Sequence, residues 1–216
     1  MKFQGIVVAT LVLLVVGKMA GQDQPSEAKP SPPQDEKLRQ ELLSRVEKDQ
    51  AVRKSFMELM QKSKNVDPNH PDIKKMKEID HQNTSWLKEI VEKHGWPGKT
   101  LVGNDGAHSA WLLVQHADHD VAFQKKCLDL LKAAVKEKEA SAQDFAYLTD
   151  RVLIAEKKNQ IYGTQLTQEG DKLVPQPIED EEHVDERRKE IGLQPLAEYI
   201  KFVEEAVMPK KDEKGE

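Results

Sequence analysis

Cysteine is almost missing from this chain. Cys127 is the only one among 216 residues, which excludes intramolecular disulfides and cysteine-rich zinc sites. A packed core must therefore hold the fold. Positive charge is in deficit too. The formal net charge is −5, with the lysines scattered, so no nucleic-acid partner is expected. Long hydrophobic runs are also missing. The longest uninterrupted one, residues 6–16, falls short of the ~20 apolar residues that a membrane span needs. There is no HExxH, no Walker spacing and no nucleophile elbow. No cofactor is expected.

What is present begins with the layout of an export signal. Lys2 forms a minimal basic start, an apolar run covers residues 3–17, and a polar stretch follows. Residues 1–20 read as a signal peptide cut near Gly17, Ala20 or Gly21, with an uncleaved N-terminal anchor as the alternative. Only in that anchored form would the chain touch a membrane. No cysteine stands near the signal to take a lipid. The expected destination is the periplasm, the cell envelope or the medium. Residues 21–35, "GQDQPSEAKPSPPQD", hold four prolines and almost nothing apolar. They read as a disordered tether. Residues 36–207 form one domain, and residues 208–216 a disordered tail.

The domain reads as helical. Leu38, Leu42, Val46, Val52, Phe56 and Met60 share one face of a first helix. Asn69 or His70 caps a second, with Pro71 in its first turn and Gly95 at its end. "KTLVGNDG" reads as a loop before a helix starting near Asp105, apolar nearly all round and hence central. Another follows to about Lys138, continuous or restarted with Asp118 or Asp120 as cap. Ser141 and Asp144 read as a capping box for the next. The period then changes, and residues 160–178 read as a β-hairpin around "QEGD". A short helix ending at Gly192 and a last one close the domain. The fold class is mainly α: a single-domain bundle of about six helices with one small hairpin.

The polar residues that interrupt the apolar faces are the most informative feature. On a wheel of ~100° per residue, Asp49 and Arg53 fall inside the first stripe at i, i+4. Asp80 and Asn83 interrupt the second. Asp120 and Gln124 join the apolar face of the helix after "QHAD", and His116 joins them if the backbone is continuous. Buried charge is expensive unless paired and hydrogen-bonded. These groups are therefore expected to meet, with Gln115, Asp150 and Arg151 close by. Asp150 and Arg151 are adjacent, so they point ~100° apart and each needs another partner. Tyr162 and Gln165 on the hairpin read as the mouth of a pocket.

Metal binding is not expected. His116, His119 and Asp120 have a suitable spacing, but the paired ExxH pattern of carboxylate-bridged bundles is absent. His119 reads as solvated, His94 and His108 as helix-end residues, and Arg187 and Arg188 as partners in local ion pairs. Trp96, Trp111 and Cys127 read as core.

The ordered series Asp49/Arg53, "GWP" (95–97), "QHAD" (115–118), "FQ" (123–124), "LTDR" (148–151), "YGTQ" (162–165) and "RR" with "GLQPLAEY" (187–199) resembles a family of bacterial proteins catalogued as a domain of unknown function. The resemblance covers roughly residues 36–205. It implies a bacterial origin and a shared polar pattern, and no activity. The expected function is binding of a small polar ligand or a protein partner through the buried cluster. One alternative is a hydrolase with His116 as general base, oriented by Asp80, Asp118 or Asp120, with Asp150 as a further catalytic candidate and Arg53 or Arg151 stabilising developing negative charge. The other is a structural domain with the network sealed. The oligomeric state stays open.

Overall fold

The computed structural model describes residues 32–62 and 66–207. The expected signal peptide, most of the tether and the tail from residue 208 lie outside the described residues. The end of the tether is docked, contrary to its composition. Backbone N–H groups of Gln34 and Asp35 donate to Thr100 and Leu101 carbonyls at 3.1 and 2.8 Å. Polar chain pairs its backbone wherever another segment runs alongside. Asp35 then caps the first helix, its carboxylate accepting from Leu38 N–H at 2.9 Å.

That helix, α1 (Glu36–Lys62), packs on α2 (Pro71–His94) and α3 (Lys99–Gln115). At the head of α2, His70 Nδ1 accepts from Asp72 N–H, and Gly95 ends the helix at φ 70°. The stretch read as a loop is instead largely helical. Residues 99–102 form a turn, Gly103 breaks it at φ 76°, ψ 170°, and the helix resumes. Tertiary contacts hold this turn where propensity would not. Glu139 accepts from Thr100 N–H at 2.8 Å, and Arg39 Nε donates to Asp105 beside the break at 2.8 Å.

The backbone does not run on through "QHAD". It leaves α3 and restarts as α4 (Val121–Lys136) with Asp120 as N-cap. Ser141 Oγ caps α5 (Ala142–Ala155), accepting from Gln143 and Asp144 N–H groups. The hairpin is shorter than its pattern. Strands β1 (Leu166–Glu169) and β2 (Lys172–Pro175) pair antiparallel, Leu166 with Pro175 and Glu169 with Lys172, around Gly170 at φ 63°. Prolines 175 and 177 limit further pairing. A 3₁₀ turn (Glu181–His183), α6 (Val184–Glu190) and α7 (Leu196–Val207) complete the chain.

The described residues thus form a mainly α domain of seven helices, the short α6 included, with one small antiparallel sheet. Residues 109–117 of α3 and its end are buried on every side, as its all-round apolar character requires. Leu42, Leu87, Leu131, Leu148 and Tyr199 belong to the same core cluster. Each buried leucine contributes about 1.5–3 kcal/mol. A smaller cluster of Val52, Phe56, Ile73 and Met76 joins the far ends of α1 and α2. No described helix is long and apolar enough to cross a membrane.

Candidate functional site

The polar site is built on the way α3 ends. His116 is its C-cap at φ −89°, ψ 1°. Ala117 N–H donates to Val114 O and Asp120 N–H to Ala117 O. This tight turn keeps His116 inside, while Asp118 and His119 reach the surface.

His116 is held from α1. Its Nδ1 lies 3.0 and 2.9 Å from the two carboxylate oxygens of Asp49. One turn further on, Arg53 Nε donates to His116 Nε2 at 3.2 Å. A guanidinium N–H can only donate, so Nε2 must accept and the ring proton must sit on Nδ1, pointing to Asp49. Both ring nitrogens are therefore engaged. Arg53 also reaches α2: its NH2 donates to Asp80 Oδ1 at 2.7 Å. Its NH1 lies 3.2 Å from Asp49 Oδ1 but finds no hydrogen-bond geometry, and it is buried without a partner.

Charge and burial explain the protonation states. Burial, and then the Arg53 charge, push the His116 imidazolium down to about 4, against the pull of Asp49. His116 is therefore neutral at pH 7. Burial pushes Asp49 up, but His116 and Arg53 outweigh it and hold the carboxyl below its ordinary range. For Asp80 burial wins over Arg53, and the carboxyl rises to about 7.

A second network adjoins the first. Arg151 of α5 donates from Nε to Asp118 Oδ1 at 2.7 Å and from NH2 to Oδ2, a two-pronged pair. Gln124 Nε2 donates to Asp118 Oδ1 at 3.3 Å and to Val114 O at 3.1 Å, leaving its own Oε1 buried without a partner. Arg151 NH1 reaches Gln165 Oε1 only at 3.5 Å. Gln115 lies beneath, fully buried. With its amide oxygen facing Leu148 N–H and the Trp111 indole N–H, it accepts from both, at 2.8 and 3.1 Å.

The expected cluster is thus assembled from Asp49, Arg53, Asp80 and His116, with Asp118, Gln124, Arg151 and Gln165 beside it. Four residues go elsewhere. Asn83 accepts from Arg45 NH1 at 3.2 Å. Asp120 is spent capping α4, accepting from Phe123 N–H at 3.0 Å, and pairs with Lys88. As the N-cap it lies outside helical geometry, which moves it off the face that the wheel of this helix assigned. Asp150 turns away from His116 to order the loop after α5. Its carboxylate accepts from Ile161, Tyr162 and Thr164 N–H groups and from the Thr164 hydroxyl, at 2.8 to 3.2 Å. Gly163 makes that loop turn: at φ 70°, a Cβ there would lie 2.8 Å from Leu196 Cδ1. Tyr162 serves through its backbone, its carbonyl accepting from Arg188 NH1.

Arg188 corrects the reading of local ion pairs. It is fully buried, donates to the Gln194 and Tyr162 carbonyls, and lies 5.0 Å over the Tyr199 ring. Arg187 keeps a local ion pair, with Asp180 at 3.5 Å, and also donates to the Ile161 and Glu179 carbonyls. A run of mixed charge gives no sign that one member faces inward. His108 and Asp144 form a further unforeseen pair at 3.2 Å, over the Trp111 ring. The sequence signal was present, since both lie on core-facing positions of helices with other expected roles. His119 is exposed and its ring meets that of His81 at 3.8 Å.

Two surface clefts lie away from this cluster. One, between α1 and α2, is lined by Val52, Ile79, Lys48 and Lys75; the other is lined by Trp86 and His94 with Leu38. Neither includes His116, Asp49 or Asp118.

Fold and site together define a helical domain organised around a buried Asp–His–Arg network, with a second Asp–Arg pair at its edge. The chain belongs to the family of unknown function DUF6624, which matches residues 36–211. No curated protein and no solved structure matches it.

Proposed function

We propose that this is a non-enzymatic binding domain that takes a small polar ligand at the Asp118–Arg151 edge of the cluster. One observation carries the reading. The Asp118 side chain is 52% exposed, yet it lies against an Arg151 guanidinium that is 6% exposed. A solvent-facing carboxylate thus covers a buried cation. Beside it stand a buried acceptor without a partner, Gln124 Oε1, and a loosely held donor, Arg151 NH1. A ligand bearing both donors and acceptors, such as a polyol or an amino acid, would satisfy them. Export to the periplasm or medium belongs to the same proposal and rests on the apolar run of residues 6–16. N-terminal sequencing of the secreted chain tests it.

A thermal-shift screen of amino acids, sugars and nucleosides tests the ligand. A ligand at one hundred times its Kd adds about 2.7 kcal/mol of stability. A compound that raises the melting temperature of the wild type but not of Asp118→Asn supports the proposal. If no compound discriminates the two, it fails.

The inner half favours a second, structural reading, because both His116 ring nitrogens are engaged and Asp49 is fully buried. There the network fixes the register of α1 against α3. Hydrolysis with His116 as base is the weaker alternative. It requires Arg53 to release Nε2 first.

A further inference from the structure

The turn that ends α3 is fastened to α2 by two contacts. Lys88 pairs with Asp120 at 2.5 Å. Beside that pair the exposed rings of His81 and His119 pack against each other, with centroids 3.8 Å apart and planes tilted by 47°. The two contacts respond to acid in opposite ways. Lys88 and Asp120 carry opposite charges. The histidines carry no charge when neutral and the same charge when protonated, and histidine is the side chain that changes charge between about pH 5 and 8. Two neutral rings at this distance attract through ordinary packing, whereas two imidazolium ions repel.

The surroundings leave the pair without a spare counter-charge. The charged groups that act on His119 are His81 and Lys88 from α2 and Asp120 and Asp118 from its own turn. Lys77 and Glu78 stand one helical turn before His81, and Glu78 accepts from Gln82. Asp120 is engaged by Lys88 and by Phe123 N–H, and Asp118 by Arg151. Both carboxylates therefore already face a cation. Partial burial, and then the His81 charge, hold the His119 imidazolium below its ordinary range, against the pull of Asp120 and Asp118.

We propose that His81 and His119 form an acid-sensitive latch, which holds the 117–120 turn on α2 while the rings are neutral and lets Asp118 and His119 swing away once both are protonated. The Lys88–Asp120 pair remains as the hinge. Lys88 holds the Asp120 carboxyl below its ordinary range, so that contact survives the acid that opens the latch. Asp118 directly precedes His119, and the swing draws its carboxylate off Arg151. The latch needs no ligand at Asp118, so it and the binding proposal can fail separately.

Amide hydrogen exchange in the full chain tests the latch. Asp120 N–H donates to Ala117 O at 2.8 Å and closes the turn, so its protection factor, corrected for the intrinsic pH dependence of exchange, reports the opening. From about pH 7.5 to about 5 that factor should fall roughly tenfold beyond any change at Leu113, which is buried in the core of α3. His81→Gln and His119→Gln should each remove the fall, because one imidazolium then has no like charge to leave. Both side chains are exposed, so neither substitution opens a gap in the core. In proton spectra, His81→Gln should also raise the His119 titration midpoint by about half a pH unit. The proposal is overturned if the Asp120 amide keeps its protection in acid, or if Leu113 loses protection to the same extent. It is equally overturned if His81→Gln leaves the fall in place or the His119 midpoint unmoved.

Discussion

Asp49 and His116 are 67 positions apart in the chain, yet they meet at 2.9 Å with side chains 0% and 2% exposed. This contact fastens α1 to the end of α3. Asp49 is also the buried counter-charge of Arg53, 3.2 Å away, and removing one partner of a buried charged pair strands the other, at a cost of about 3–5 kcal/mol. Asp49→Ala should therefore lower unfolding free energy by that amount in urea titrations. Asp49→Asn should lose less, because its amide oxygen still accepts from Nδ1–H. Equal losses would refute the tautomer assigned to His116.

The edge pair should behave differently. Asp118 is half exposed, so its bond with Arg151 is screened by water and should contribute about 1 kcal/mol or less. Asp118→Asn should leave the urea midpoint nearly unchanged. The contrast with Asp49→Ala, measured in one set of titrations, checks that the two halves of the cluster differ in depth.

Asp150 predicts a local effect. Its carboxylate satisfies three backbone N–H groups and one hydroxyl in the loop after α5. Each buried donor left without a partner costs about 1–3 kcal/mol. Asp150→Ala should destabilise by about 3–5 kcal/mol. Hydrogen exchange should accelerate first at the amides of Ile161, Tyr162 and Thr164. Exchange that speeds up evenly over the chain would contradict this assignment.

The pH dependence has two opposing parts. His116 drops from 6.5 to about 4 on folding, so its contribution is complete above 6.5 and is lost as pH falls toward 4. Asp80 rises from 3.8 to about 7, so its contribution is complete below 3.8 and is lost as pH climbs through 7. Between pH 4 and 6.5 the two slopes oppose each other. In Asp80→Asn only the histidine part remains, and stability should fall more steeply as pH drops from 6.5 to 4. Nitrogen-15 spectra should show His116 as the Nδ1–H tautomer down to about pH 4. Titration near 6.5 would rule out the buried arrangement.

Much of the fold was legible in the sequence because stripes, caps and glycine stops are local signals. His70, Ser141 and Gly95 act where their chemistry placed them. Asp49 and Arg53 were legible because two charges inside an apolar stripe have few other solutions. Asp120 was misplaced on the wheel because, as the N-cap of α4, it has left helical geometry at φ −139°, ψ 72° and its carboxylate is spent on Phe123 N–H. Asn83 lies at the right angle but meets Arg45 instead, since a wheel gives direction and not the neighbour. Asp150 and Arg188 could not be read, because their partners are backbone groups of loops, which leave no mark in side-chain patterns.

The turn from His116 to Asp120 links the two halves of the cluster by a single residue, Ala117, between His116 and Asp118. Such a short, tightly wound connection works like a lever. A molecule that draws Asp118 away from Arg151 would tug on His116, and through it on Asp49. The rim and the middle of α1 are thus joined through Ala117 and two side-chain contacts.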